Sequence, residues 1–215
     1  MRSFVDNHDF QFEIERCVNH LSSELRTLFI DWLKQLNPPA HIHLLKRLDT
    51  SSQYLTFNYT KTLNTLYGVP DSNVLHIHGE ISQPESVVLG HSWIPDRSLN
   101  DRSDIADIDT RLMEANSIID SYFSKTFKPS IELINANAAF FKSLAGVTDV
   151  YILGHSMSSV DELYYQAIIA IPSLAKTRWH IVCRPEDDVN MKRRRLSDLG
   201  IAEERVFICS WSDLS

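Results

Sequence analysis

Two segments decide the fold: Leu55-Thr-Phe-Asn-Tyr-Thr-Lys-Thr-Leu63 and, shortly downstream, Val74-Leu-His-Ile-His-Gly79. Each is a short apolar strand that hands over to polar side chains at its end. In open α/β sheets, ligands collect at the carboxyl ends of the strands. Asn58 and His78, presented there, are therefore candidates for chemistry rather than packing.

Working outward, Gln53 to Phe57 reads as a buried strand, and Thr60 to Tyr67 as a helix closed by Gly68. Upstream, Ile14, Cys17, Val18, Leu21, Leu25, Leu28, Phe29, Trp32 and Leu36 recur on one helical face until Asn37-Pro38-Pro39 stops the pattern. Downstream, Val74 to His78 and Val87 to Leu89 are short apolar runs, and residues 97–109 form a polar surface excursion. Leu112 to Phe123 gives a second helix and Ile131 to Leu144 a third, ended by Gly146. The last third alternates: strand Asp149 to Leu153, helix Val160 to Ile171, strand Trp179 to Cys183, helix Asp187 to Leu199, strand Val206 to Cys209. Repeated strand-helix-strand units imply a Rossmann-like parallel α/β sheet with helices on both faces. The organisation expected is one domain over 1–215, with a helical insertion around 97–145.

Composition fits that class. A chain of 215 residues with 43% hydrophobic content can bury a real core, and a net charge of -7 argues against sequence-independent binding to nucleic acid. Cys17, Cys183 and Cys209 are too far apart to form metal-ligand pairs and fit a reducing cytoplasm. The first nine residues lack the apolar core of a signal peptide, and no run approaches the ~18 apolar residues of a membrane span.

Of the six glycines, Gly68, Gly146 and Gly200 follow helices as caps. Gly79, Gly90 and Gly154 follow strands, where the backbone turns sharply or lets a ligand approach, and their polar neighbours are His78, His91, and His155 with Ser156. Simpler readings stand beside the functional ones. Asn58 can cap the helix near Thr60, His76 shares the face of His78 in a structural role, and His91 is undecided. Gly154-His155-Ser156-Met157-Ser158 lacks the second glycine of a serine-hydrolase elbow. His180, the partner such a triad would need, is expected to face the core or its helix cover. Lys192-Arg-Arg-Arg195 is read as a solvated helix face.

Phe57-Asn58-Tyr59-Thr60, Thr62-Leu63, Leu66-Tyr67-Gly68, Leu75-His76-Ile77-His78-Gly79, and Gly154-His155-Ser156 with Asp161 and Tyr164-Tyr165 together resemble the AbiH family of phage-abortive-infection proteins, within the sirtuin-like superfamily. The resemblance runs from about Tyr54 to about Ile171. It implies a Rossmann-like domain that takes NAD as substrate, cleaved between nicotinamide and ribose, without a metal. It also implies that Asn58 and His78 form the catalytic pair, while Gly154, Ser156 and Asp161 line the ribose or adenosine. Thr56, Tyr59 and His155, with Gly79, Gly90 and His91, complete the expected cofactor-binding set. In that chemistry Asn58 positions water and His78 acts as general base, a role suited to an imidazole with an unperturbed pKa of ~6.5.

The sequence departs from the family in one respect. The strand and Gly-Asn-Gly-Phe-Asp type loop that cradle phosphates at a helix N-terminus are lacking here. Three explanations stand open: a fragment, half of a split protein, or a degenerate member. The rival to NAD hydrolysis is a noncatalytic nucleotide-binding or interaction module. Further expected partners are a phage trigger, a companion defence protein, or a second copy of the chain. A sirtuin-type deacylase is disfavoured, because three scattered cysteines cannot supply a four-ligand zinc module.

Overall fold

The computed structural model describes residues 9–36, 44–105 and 109–214. The chain divides into two compact units, Met1–Leu36 with His78–Lys128, and Asn37–Ile77 with Pro129–Ser215. The helices expected as an insertion around 97–145 are shared between them: Thr110–Lys125 falls in the first unit, Ser130–Ala136 and Ala138–Ser143 in the second.

The second unit carries the parallel α/β pattern. Strands β1 (Tyr54–Thr56) and β2 (Val74–His76) pair in parallel, joined through helix α3 (Thr62–Tyr67). Strands β3 (Asp149–Leu153), β4 (Arg178–Cys183) and β5 (Val206–Ser210) form a parallel sheet in that order. Helix α7 (Glu162–Ile169) connects β3 to β4, and α8 (Val189–Asp198) connects β4 to β5. This is the Rossmann-like arrangement that the alternation of elements implies.

Side chains alternate across a strand with a period of two, and here the period separates two different faces. Val150, Ile152, Trp179, Ile181, Cys183, Val206 and Ile208 point into the core with Tyr164, Ile168 and Leu196, and Leu55, Phe57 and Leu75 pack against the same cluster. The opposite face carries Tyr151, His180 and Phe207 in register, and Tyr151 and Phe207 are 51% and 41% exposed. His180 therefore does not face the core. Its ring stands between those two aromatics, and Nε2 donates to Asp149 Oδ1 at 2.8 Å.

Two other expectations change. The helix read over Ile131 to Leu144 is two, α5 (Ser130–Ala136) and α6 (Ala138–Ser143). The Asn137 carboxamide donates to the Leu133 carbonyl at 2.8 Å, competing with the backbone ladder, and φ, ψ of -105° and 24° break the helix there. The basic run on α8 is not a solvated face: Lys192 is 5% exposed, its Nζ 2.9 Å from Asp187 Oδ2, and the Arg195 Nε donates to the Met157 carbonyl.

The first unit is helical. Helix α1 (Asp9–Asn19), a π-helical turn (His20–Glu24) and α2 (Leu25–Lys34) follow one another, and α1 packs on α4 (Thr110–Lys125). The spacing finds the helix but not its buried side: Ile30 and Leu33 are buried, whereas Leu21, Leu25, Leu28 and Trp32 are exposed. Val87 to Leu89 is extended chain rather than a strand. The Arg26 guanidinium fixes it by donating to the carbonyls of Pro84 and Val87 at 2.8 and 3.2 Å. The polar excursion is tied to α4, with the Asn100 carboxamide donating to the Met113 carbonyl at 2.8 Å; residues 106–108 lie outside the described residues.

Trp179 is 1% exposed at the centre of the core, so Trp179→Ala is expected to cost about 3–5 kcal/mol in urea unfolding. The Arg178 guanidinium holds the Asp149 carboxyl well below its ordinary value of 3.8, with His180 and Thr148 adding to the effect. A depressed folded-state value stabilises above the ordinary value and is lost as pH falls toward it. The stability deficit of Asp149→Asn, measured at pH 7, is therefore expected to shrink as the pH is lowered below 3.8.

Candidate functional site

The second unit brings two loops together at the carboxyl ends of its strands. The first follows β1. The Asn58 amide donates to the Thr56 hydroxyl at 3.1 Å, and the Asn58 carbonyl accepts from His76 Nδ1 at 2.9 Å. With the proton on Nδ1, the His76 Nε2 is an acceptor, and it is buried without a partner among the described residues. The Asn58 carboxamide is exposed and, among the described residues, makes no hydrogen bond. It does not cap a helix, because α3 begins at Thr62 with Lys61 at its N-cap.

The second loop follows β3. Gly154 turns at φ 63°, and Met157 is held at φ 58° although it carries a side chain and is buried. Left-handed backbone at such a residue costs about 1–2 kcal/mol, and the surroundings hold it in place. The Met157 amide donates to His155 Nδ1 at 2.9 Å, and its carbonyl accepts from Arg195 Nε at 3.2 Å. Because Nδ1 accepts, the ring proton sits on Nε2, which faces Asp161 Oδ2 at 3.3 Å. The Tyr165 hydroxyl also donates to Nδ1, at 2.7 Å. Burial, and then Asp161, pushes the Tyr165 phenol far above its usual range, so it remains a donor.

Phe57 joins the loops, its ring 4.2 Å from that of His155 and stacked on Tyr165. Burial, then the Asp161 charge, then Tyr164, raises the Tyr59 phenol as well. Ser156 is exposed; the cap of the following turn is Ser158, whose hydroxyl accepts from the Val160 amide. A serine-hydrolase role for His180 finds no support, since its nitrogens face Asp149 and Cys209.

Thr56, Asn58, Tyr59, Gly154, His155, Ser156 and Asp161 thus belong to the second unit, and His78, Gly79, Gly90 and His91 to the first. Strand β2 ends at His76, so His78 stands in the turn after it, 4% exposed, its carbonyl accepting from the Val88 amide at 2.8 Å. Gly79 and Gly90 have packing reasons to be glycine. A Cβ would lie 2.1 Å from the Ser86 carbonyl oxygen at Gly79, and 2.0 Å from that of Thr126 at Gly90. His91 bonds Thr126 through Nε2 at 3.0 Å. The structural role expected of His76 holds for Nδ1, which bonds the Asn58 carbonyl; that Nε2 is left buried without a partner among the described residues had no signal in the spacing.

The sequence profile of the family described as bacteriophage abortive infection AbiH matches residues 2–183. The chain belongs to the AbiH family. That membership places it in phage defence by abortive infection. The AbiH match ends at the last residue of β4, so α8, which supplies Arg195, lies beyond it. No curated protein and no solved structure matches the chain. Among the described residues, no helix is long and apolar enough to cross a membrane.

An exposed carboxamide without partners carries little stability, so Asn58→Ala is expected to change unfolding free energy by less than about 0.5 kcal/mol. Arg195→Ala removes the bond that secures the Met157 carbonyl and should cost about 1–2 kcal/mol. Urea unfolding of both variants checks the contrast.

Proposed function

We propose that this AbiH protein binds NAD at the carboxyl ends of β1, β2 and β3 and hydrolyses it to nicotinamide and ADP-ribose, the loss of NAD serving abortive infection. The observation that carries the reading is a set of two polar groups at neighbouring strand ends: the Asn58 carboxamide, exposed after β1 and without a hydrogen bond among the described residues, and His76 Nε2 at the end of β2, buried without a donor among them. A buried acceptor without a partner costs free energy, and a ligand amide or hydroxyl would satisfy it. Ser156 adds an exposed hydroxyl on the neighbouring loop.

Hydrolysis adds water to the ribose carbon as its bond to nicotinamide breaks; nicotinamide leaves neutral, and the water gives up a proton. Asn58 is suited to hold that water. His78 takes the proton in this reading, an assignment that rests on the family resemblance alone. Such a reaction needs no metal, and the polar groups at the strand ends are an amide, a hydroxyl and an imidazole acceptor that match the sugar and carboxamide of the substrate. Positioned acid-base groups contribute about 100- to 10,000-fold.

The test separates nicotinamide and ADP-ribose chromatographically after incubating NAD with the purified chain and with folded Asn58→Ala and His78→Ala variants. Turnover is expected for the native chain and a loss of at least about 100-fold in each variant. Undiminished turnover in Asn58→Ala would falsify the assignment. NAD binding without turnover by the native chain would establish the noncatalytic module instead.

A further inference from the structure

Three titratable side chains line up across the face of the β3-β4-β5 sheet that carries Tyr151 and Phe207. The period of two puts Asp149, His180 and Cys209 on one face. Each successive pair is diagonal in the parallel register, since His180 stands opposite Tyr151 and Cys209 opposite Val182. His180 Nε2 lies 2.8 Å from Asp149 Oδ1, and Nδ1 lies 3.8 Å from Cys209 Sγ. The Asp149 carboxylate, also paired with Arg178, accepts the Nε2 proton and leaves the Nδ1 lone pair facing the thiol. Tyr151 and Phe207 clamp the ring from both sides at 4.3 and 5.2 Å between centroids. Cys209 is partly exposed, whereas Cys183 is buried. Among the described residues, no group of three such side chains is placed to hold a metal ion.

The geometry points to Cys209 as a thiol-exchange site for low-molecular-weight disulfides, with His180 as its general base and Asp149 positioning His180. Burial, then Asp213 and Cys183, raises the Cys209 thiol above its ordinary value, so it waits as S–H. Thiolate is the attacking form, and His180 therefore takes the proton as the reaction proceeds. Sγ bonds to one sulfur of the disulfide, the old S–S bond breaks, and the departing thiolate takes the proton from His180. The products are a mixed disulfide on Cys209 and one free thiol, with no other oxidant or reductant consumed. The site uses none of the residues assigned to NAD, so the two readings stand or fall separately.

The experiment uses the full chain carrying Cys17→Ser, which removes the exposed thiol, and oxidised glutathione as probe, with adducts followed by intact-protein mass. One adduct is expected, abolished by Cys209→Ser. His180→Gly should slow its formation by on the order of tenfold or more, and free imidazole, entering the slot between Tyr151 and Phe207, should restore it. Asp149→Asn, the variant that decides should His180→Gly not fold, should also slow it while far-UV circular dichroism is unchanged. An adduct that survives Cys209→Ser, or rates within twofold of the reference in folded His180→Gly or Asp149→Asn, overturns the proposal. So does a slowed His180→Gly protein that imidazole leaves slow.

Discussion

The strand-end architecture depends on what one imidazole nitrogen accepts. His155 Nδ1 receives the Met157 amide and the Tyr165 hydroxyl, and those two bonds decide where the ring's proton goes and which way the ring faces. Once the proton is on Nε2, Asp161 has a donor to meet. Phe57 then has a fixed surface to lie on, and the β1 loop is set against the β3 loop. A left-handed Met157 is tolerable only inside this arrangement, because its amide and its carbonyl both have ends to reach. The polar groups left over, Asn58 and Ser156, are displayed on a frame that does not need them.

Much of this was legible beforehand, and for identifiable reasons. Strands β3, β4 and β5 are dense in β-branched and aromatic residues bounded by Gly, Pro or charge, so their limits are readable almost to the residue. The break at Asn137 was not readable, since it hangs on one carboxamide bonding its own backbone, and asparagine in a helix leaves both outcomes open. The partners of Lys192 and Arg195 were hidden for another reason: a charge run looks solvated until side chains fold back on Asp187 in the preceding turn and a distant loop brings the Met157 carbonyl. The motif residues of the β1 and β3 loops do lie side by side at the strand ends, but that the Asn58 side chain is not a helix cap needed the true start of α3.

The same comparison divides the histidines. His155 and His180 each have both nitrogens engaged and so act on the fold as well as on any chemistry near them. His76 has one nitrogen committed to the Asn58 carbonyl and one without a partner. Sequence spacing cannot separate these cases, because it gives a histidine's neighbours along the chain and says nothing of what approaches each ring nitrogen. The distinction matters at a strand end, where a satisfied imidazole is scaffold and an unsatisfied one is an invitation to a ligand.

The crowding at Gly79 and Gly90 has an evolutionary side. Each gives a carbonyl oxygen the volume where any other residue would place its first side-chain carbon, so every single-residue replacement meets backbone that must move. Across descendants of this chain those two positions should stay fixed whatever selection acts on the strand-end loops, whereas the Asn58 carboxamide, on which no packing depends, is free to drift wherever selection on it is relaxed. A paralogue that keeps both glycines and has lost Asn58 would mark a fold retained while its strand-end surface changed.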